Sequence, residues 1–210
     1  MGNKEDKRFL VFVLGIAAIA LFQSIFLFFL VNDGLTGKAV DTAAVNITIN
    51  QKVSANFSAA SINWGAGAVA SNSTLALLDT SGPNVSNGNW STIGVANLHL
   101  INNGNVNVSL SVKTDYTNES FFGGTGPVFR LKVLANESNS CLNATGTGNS
   151  SNLYAYVDAN ATGDGTLYCN IMPFEDNKDS VSIAILLGIP ADASAAGQKN
   201  SSITATVSAI

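Results

Sequence analysis

Residues 9–31, FLVFVLGIAAIALFQSIFLFFLV, carry no charge, and only Gly15, Gln23 and Ser24 interrupt their apolar side chains. Wound into an α-helix at about 1.5 Å per residue, such a run reaches about 35 Å, enough to cross a hydrocarbon core of about 30 Å. Lys4, Lys7 and Arg8 precede it, and Lys38 is the only basic residue close behind. Basic residues are retained on the cytoplasmic side, whereas Glu5 and Asp6 count little in that rule. The run therefore predicts a cytoplasmic N-terminus over 1–8, a transmembrane signal anchor over 9–31 and a linker over 32–43. An extracytoplasmic domain over 44–210 follows, held at the plasma membrane by the lipid bilayer around 9–31. A cleaved secretory signal is the competing reading. Its apolar stretch is usually about 7–15 residues followed by a small-x-small site. Gly37-Lys38-Ala39 has that form but lies several residues beyond a run that is too long.

Composition narrows the rest. Charged residues are 11% of the chain and the net charge is -4, against roughly 25% charged residues in an ordinary domain. An acidic chain lacks the basic surface that displaces counterions from nucleic acid, so no nucleic-acid partner is expected. Disordered acidic tails need more charge and fewer apolar residues, and disulfide-dense miniproteins need more cysteine. One apolar run excludes a multi-span transporter. Polarity comes instead from 25 Asn, 22 Ser and 15 Thr.

Those asparagines are not placed at random. Asn-x-Ser/Thr, the N-glycosylation acceptor, occurs at Asn46, Asn56, Asn72, Asn84, Asn89, Asn107, Asn118, Asn136, Asn143, Asn149, Asn160 and Asn200. Random placement of the same residues would give roughly four or five such triplets, so the excess points to a sugar-coated surface in a secreted context. Cys141 and Cys169 form an even pair after the membrane segment. In an oxidising compartment a disulfide is their expected state, two buried thiols being the alternative.

Beyond residue 40, apolar and polar residues alternate with a period of two. Strands are predicted at 44–50 (AVNITIN), 98–101, 106–112 (VNVSLSV), 129–134, 153–157 (LYAYV), 166–171, 180–187 and 202–207. Asn102-Asn103-Gly104-Asn105, Gly123-Gly124-Thr125-Gly126-Pro127, Gly163-Asp164-Gly165 and 188–197 with Pro190 supply turn chemistry between them. No stretch after residue 31 carries a clear helical face. Eight or nine short strands with frequent turns predict an all-β sandwich, because one isolated sheet would leave an apolar face in water.

The order of motifs resembles small exported immunoglobulin-like β-sandwich proteins of archaea. The resemblance lies in the N-terminal segment, the joint Leu35-Thr36-Gly37-Lys38-Ala39-Val40 and the Val/Thr/Ile-rich strand behind it. It continues in Trp64-Gly65, the hairpin Leu98-His99-Leu100-Ile101-Asn102-Asn103-Gly104-Asn105, and Ile189-Pro190 to Gly197 before the last strand. It implies an immunoglobulin-like fold and a cell-surface location more than a function. Some similar exported proteins polymerise by donating an N-terminal strand to the next subunit. Residues 40–50 (VDTAAVNITIN) have the alternation such strand addition needs. Here that would require loss of residues 1–39.

No catalytic residue is expected. His99, the only histidine, alternates with leucines as an outward strand residue, and no Gly-x-Ser-x-Gly elbow is present to form a triad with it. One His and two Cys fall short of a zinc site. The Gly123–Gly126 loop lacks the Lys-Ser/Thr of a phosphate cradle. Asp158, Asn160 and Thr162 at positions 1, 3 and 5, with Gly163 at the position-6 turn and Asp164 behind it, resemble the first half of a Ca²⁺ loop. Position 12 is Cys169 rather than a bidentate Glu, and Asn160 opens a sequon, so a polar turn is the favoured reading. Glu175, Asp176 and Asp179 read as a solvated loop. Trp64, Trp90, Tyr116, Phe121 and Phe122 suggest a contact platform, but aromatics in a sandwich are more often core or sheet-covering residues. Trp90 and the Phe121-Phe122 pair, in loop-like sequence, are the first candidates for such a surface. The expected function is an anchored surface protein with a structural or interaction role and no cofactor. Its partners would be other envelope proteins or further copies of itself. A filament subunit and a solute- or calcium-binding module are the alternatives.

Overall fold

A computed structural model describes residues 47–82, 84–194 and 197–210. The cytoplasmic, anchor and linker segments (1–8, 9–31, 32–43) and Asn46 lie outside the described residues. Among the described residues no helix is long and apolar enough to cross a membrane. Residues Ile49–Ile210 form one compact unit.

The unit is all-β, with ten strands among the described residues and one short helix. In chain order these are β1 (Ala55–Ala59), β2 (Leu75–Asp79), β3 (Asn84–Ser86), β4 (Leu98–Asn102), β5 (Val108–Thr114), α1 (Asn118–Phe122), β6 (Val128–Ala135), β7 (Val157–Asp158), β8 (Thr166–Met172), β9 (Ser180–Pro190) and β10 (Ile203–Ala209). Every named strand pair is antiparallel. Seven strands make one sheet and β10-β5-β8 make the other.

The eleven-residue β9 is the spine of the larger sheet. One of its edges is filled by β6 from Val181 to Gly188. Its other edge is shared, since β4 pairs with Ser180–Ile183 and β2 with Leu186–Pro190. Between these two partners the edge groups of Ile185 would be left bare. Thr80 fills the gap. Its backbone N–H donates to Ile185 O at 3.0 Å, and Ile185 N–H donates to Thr80 Oγ1 at 2.8 Å. The same hydroxyl donates onward to Asn97 Oδ1 at 2.8 Å. Thr80 follows β2 and Asn97 precedes β4, so one threonine joins the two half-partners where they meet.

Register decides which side chains are inside. Val181, Ile183, Ile185, Leu187 and Ile189 of β9 stand opposite Leu98 and Leu100 of β4, Ala76 and Leu78 of β2, and Phe129, Leu131 and Val133 of β6. Directly opposed residues share a face, so these form one apolar surface. The small sheet covers part of it with Val108, Leu110, Val112, Tyr168 and Met172 in a common core. The remaining part, over β2, is covered by Ile62, Trp64, Val69, Trp90 and Val95 in a satellite core. The strictly alternating burial of Val108–Thr114 explains its sequence: valine and leucine face in, serine and lysine face out. Tyr168 of the small sheet donates its hydroxyl to Leu131 O of the large sheet at 3.2 Å, a polar contact through the core.

β1, β2, β3 and α1 have no counterpart among the expected elements, and two of the expected strands do not form as read. The strand expected at 44–50 is absent from its described part: residues 47–50 form no strand, and the first one among the described residues is β1. At 153–157 only Val157 enters a strand. Tyr154 takes a positive φ of 67°, which breaks extension, and β7 pairs with β6 rather than with β8. The segments expected as strands at 153–157 and 166–171 thus fall in two different sheets.

Thr80→Val keeps the volume but leaves the Ile185 N–H buried without an acceptor. The expected loss is about 2–3 kcal/mol, since an orphaned buried donor carries its full desolvation cost. Urea unfolding would show it as a lower midpoint at unchanged slope, with Thr80→Ser restoring most of it.

Candidate interaction surface and modification sites

The sequon asparagines sit mostly at the surface. Of the eleven in the described residues, Asn56, Asn72, Asn84, Asn89, Asn107, Asn136, Asn149 and Asn200 are exposed, while Asn118, Asn143 and Asn160 are half-buried. Asn118 is also occupied structurally. It accepts from Phe129 N–H at 3.1 Å, and its amide nitrogen donates to Asp158. Asn143 and Asn160 fold their side-chain oxygens onto the backbone N–H groups two residues ahead, at Thr145 and Thr162. These are Asx turns.

Cys141 and Cys169 are disulfide-bonded and fully buried, with Cα atoms 5.0 Å apart and a sequence separation of 28. Cys169 belongs to β8. Cys141 lies in the long segment after β6, whose next residue, Leu142, bridges to Ile171. Leu142 N–H donates to Ile171 O at 2.8 Å, so this segment is stapled along the free edge of β8.

The calcium-loop residues find other partners. Asp158 ends β7 and takes the Arg130 Nε at 2.7 Å. That guanidinium, with Asn118 assisting, holds the Asp158 carboxyl below the usual range against the upward pull of its partial burial. Asn160 Oδ1 accepts from both the backbone and the hydroxyl of Thr162, and Asp164 lies exposed in the turn. Among the described residues no group of three or more His, Cys, Asp or Glu is arranged to hold a metal.

Most of the aromatic candidates are core residues rather than a platform. Phe121 and Phe122 are core residues on α1, not a platform in a loop. Thr117 caps this helix, accepting from Ser120 N–H while Ser120 Oγ accepts from the Thr117 N–H. Phe121 packs on Phe129 with ring centres 5.0 Å apart. Trp64 is buried, and Trp90 is half-buried in the satellite core. Trp90 lies between Gly67 and Gly88, where an added Cβ would fall 2.4 Å and 2.7 Å from its ring. Both positions must therefore lack a side chain. Tyr116 remains 40% exposed.

The other weighed residues have structural partners. His99 faces outward beside Ser182, as expected, and shares a 2.8 Å hydrogen bond with Ser58 Oγ. The Gly-rich loop is held by Asp192, which accepts from Thr125 N–H at 2.9 Å and from its hydroxyl at 2.7 Å. Glu175 pairs with Lys178, while partial burial and the neighbouring Glu137 and Asp176 raise the Asp179 carboxyl.

One polar cluster has no local sequence signal, because its members are 77 residues apart. Tyr156 donates its hydroxyl to Asp79, which also accepts from the backbone and hydroxyl of Ser81. Lys132 Nζ stands 4.3 Å from the centre of the Tyr156 ring. Burial, reinforced by the hydrogen bond to Asp79, pushes the Tyr156 phenol up to about 12. No protein-family model, no curated protein and no solved structure matches this chain.

Replacing both cysteines with alanine opens a loop of 28 residues. The chain-entropy relation gives an expected loss of about 3–4 kcal/mol, to be read from chemical unfolding. Tyr156 provides a spectroscopic check. Its folded pKa lies above the free value, so its hydrogen bond stabilises fully below pH ~10 and fades as pH rises through the folded value. Tyr156→Phe should remove a tyrosinate absorbance step near pH 12.

Proposed function

We propose that the chain is a single-pass, membrane-anchored surface protein with its N-terminus in the cytoplasm. Its N-glycosylated, immunoglobulin-like β-sandwich stands outside the cell. It acts by display and contact rather than by turnover, with envelope proteins or neighbouring copies as partners. The observation that carries this reading is the exposure of eight of the eleven described sequon asparagines. A sugar chain is bulky and needs a solvent-facing amide. The buried disulfide supports the same compartment, because such bonds persist in oxidising surroundings. The outer face of the small sheet adds to it: Ser109, Ser111, Thr204, Thr206 and Ser208 make it polar, with Lys113 the one charged side chain among the β10–β5 pairs.

A second reading, a strand-exchange filament subunit, is favoured by one feature. Ile47 and Ile49 are 80% and 82% exposed and lie in no strand, although their spacing suits one. A β-branched alternating segment left in water is suited to an edge on another molecule.

Intact mass of the native protein, taken separately from washed membranes and from the medium, separates the two. Recovery in membranes with residues 9–31 present and sugar attached is the expected result. A medium form starting near Val40, with fibres by negative stain, would replace the anchored reading with the filament.

A further inference from the structure

A cleft of about 330 Å³ opens beside α1, lined by Tyr116, Phe121, Gln198, Lys199 and Asn200. Its aromatic wall is made by two rings of different status. Phe121 is 6% exposed and belongs to the core, whereas Tyr116 is 40% exposed. Their ring centres are 5.5 Å apart, tilted by 34°. Asn200 belongs to the sequon Asn200-Ser201-Ser202 and is exposed. This sequon is fixed next to Tyr116, because Ser202 N–H donates to Asp115 Oδ2 at 2.9 Å and Asp115 precedes Tyr116 in the chain. Gln198 Nε2 donates to Asn200 Oδ1 at 3.3 Å. That bond uses the amide oxygen, and among the described residues no hydrogen bond engages Nδ2, the atom that bears an N-linked sugar.

We propose that this cleft seats the first sugar of a glycan on Asn200, with one face of the pyranose ring lying over the Tyr116 ring. The proposal rests on the glycoprotein reading above and names one site within it. A pyranose presents axial C–H groups on one face, and an aromatic ring presents a negative face to meet them. The cleft lies at the lower end of the ~300–1,000 Å³ range of small-ligand sites, room for one or two sugar rings rather than a long oligosaccharide. It is shallow, which argues against capture of a free sugar from solution. A covalently attached sugar faces no such difficulty, because tethering supplies a millimolar effective concentration without any tight contact. The Asn200 sugar is thereby distinguished from those on Asn72, Asn84 or Asn149: it becomes part of the packing around α1 instead of projecting into solvent.

The test uses the full-length protein in cells that glycosylate it, as wild type, Tyr116→Ala, Asn200→Gln and the double variant. Gln at 200 keeps an amide while removing the acceptor. Glycopeptide mass first reads the occupancy of every sequon. With Asn200 occupied, the four melting temperatures should be non-additive by about 2–4 °C, the shift corresponding to one stacked ring in a domain of this size. A second readout needs no change at Tyr116: nitration of that ring should be slower in wild type than in Asn200→Gln. Additive melting temperatures with equal nitration rates would overturn the seat. So would a bare Asn200 among occupied sequons, which leaves the glycoprotein reading standing. A protein with sugar on no sequon would overturn both.

Discussion

The Ile185–Thr80 exchange is the contact on which the larger sheet depends. A strand has two hydrogen-bonding edges, and β9 must serve three neighbours. β6 takes one edge over eight consecutive pairs, leaving β4 and β2 to divide the other. Such a division breaks the ladder at one place, and in a buried sheet a broken ladder leaves an orphaned amide. The threonine hydroxyl accepts from that amide and donates a hydrogen bond of its own to Asn97 Oδ1. Two strand pairs that could otherwise splay apart are thereby held in one plane. The consequence for the core is direct. Because β2 and β4 remain in one sheet, Leu78 and Leu98 face the same side, and the main and satellite cores run on from each other along β9.

A second buried amide closes the opposite end of β4. Asn102 is 1% exposed, and its Nδ2 donates to the carbonyls of Val106, Met172 and Pro173 at 3.0–3.2 Å, while its Oδ1 accepts from Gly104 N–H. Two of those carbonyls belong to the end of β8 and the residue behind it, in the other sheet. With the Tyr168 hydroxyl on Leu131, the sheets are joined by polar as well as apolar contacts, and the disulfide fastens the segment after β6 along β8. Outward polarity, in contrast, comes from serine, threonine and asparagine. A domain so poor in charge needs another source of solubility. The proposed sugar coat supplies it, and the same coat restricts contacts to the faces left bare.

Much of the fold was legible in the sequence, and the exceptions have physical causes. The strands expected at 106–112 and 202–207 form at Val108–Thr114 and Ile203–Ala209, because apolar residues there alternate with serine, threonine or lysine. Leu75–Asp79 was missed: its LALLD reads as a short apolar run without alternation, since Leu77 sits on the outer face at 36% exposure. Residues 44–50 have the strand pattern, yet Ile47 and Ile49 stand in water. Alternation reports a tendency to extend and says nothing of an available partner. α1 has five residues, too few to show a helical period. Its one local signal is the Thr117–Ser120 cap. The contacts made by Thr80, Asn102 and Tyr156 bridge 70 or more residues, so no local pattern marks them. The candidate modification sites were visible as triplets, but only the fold separates exposed Asn72 and Asn149 from Asn118, whose amide is bonded to Asp158.

Site-by-site glycopeptide mapping of the native protein, combined with a count of free thiols, tests the central claim most directly. The account predicts no free thiol, sugar on the exposed asparagines such as Asn72, Asn84 and Asn149, and a bare Asn118. Unmodified asparagines throughout, together with two free thiols, would contradict it and place the domain in a reducing compartment.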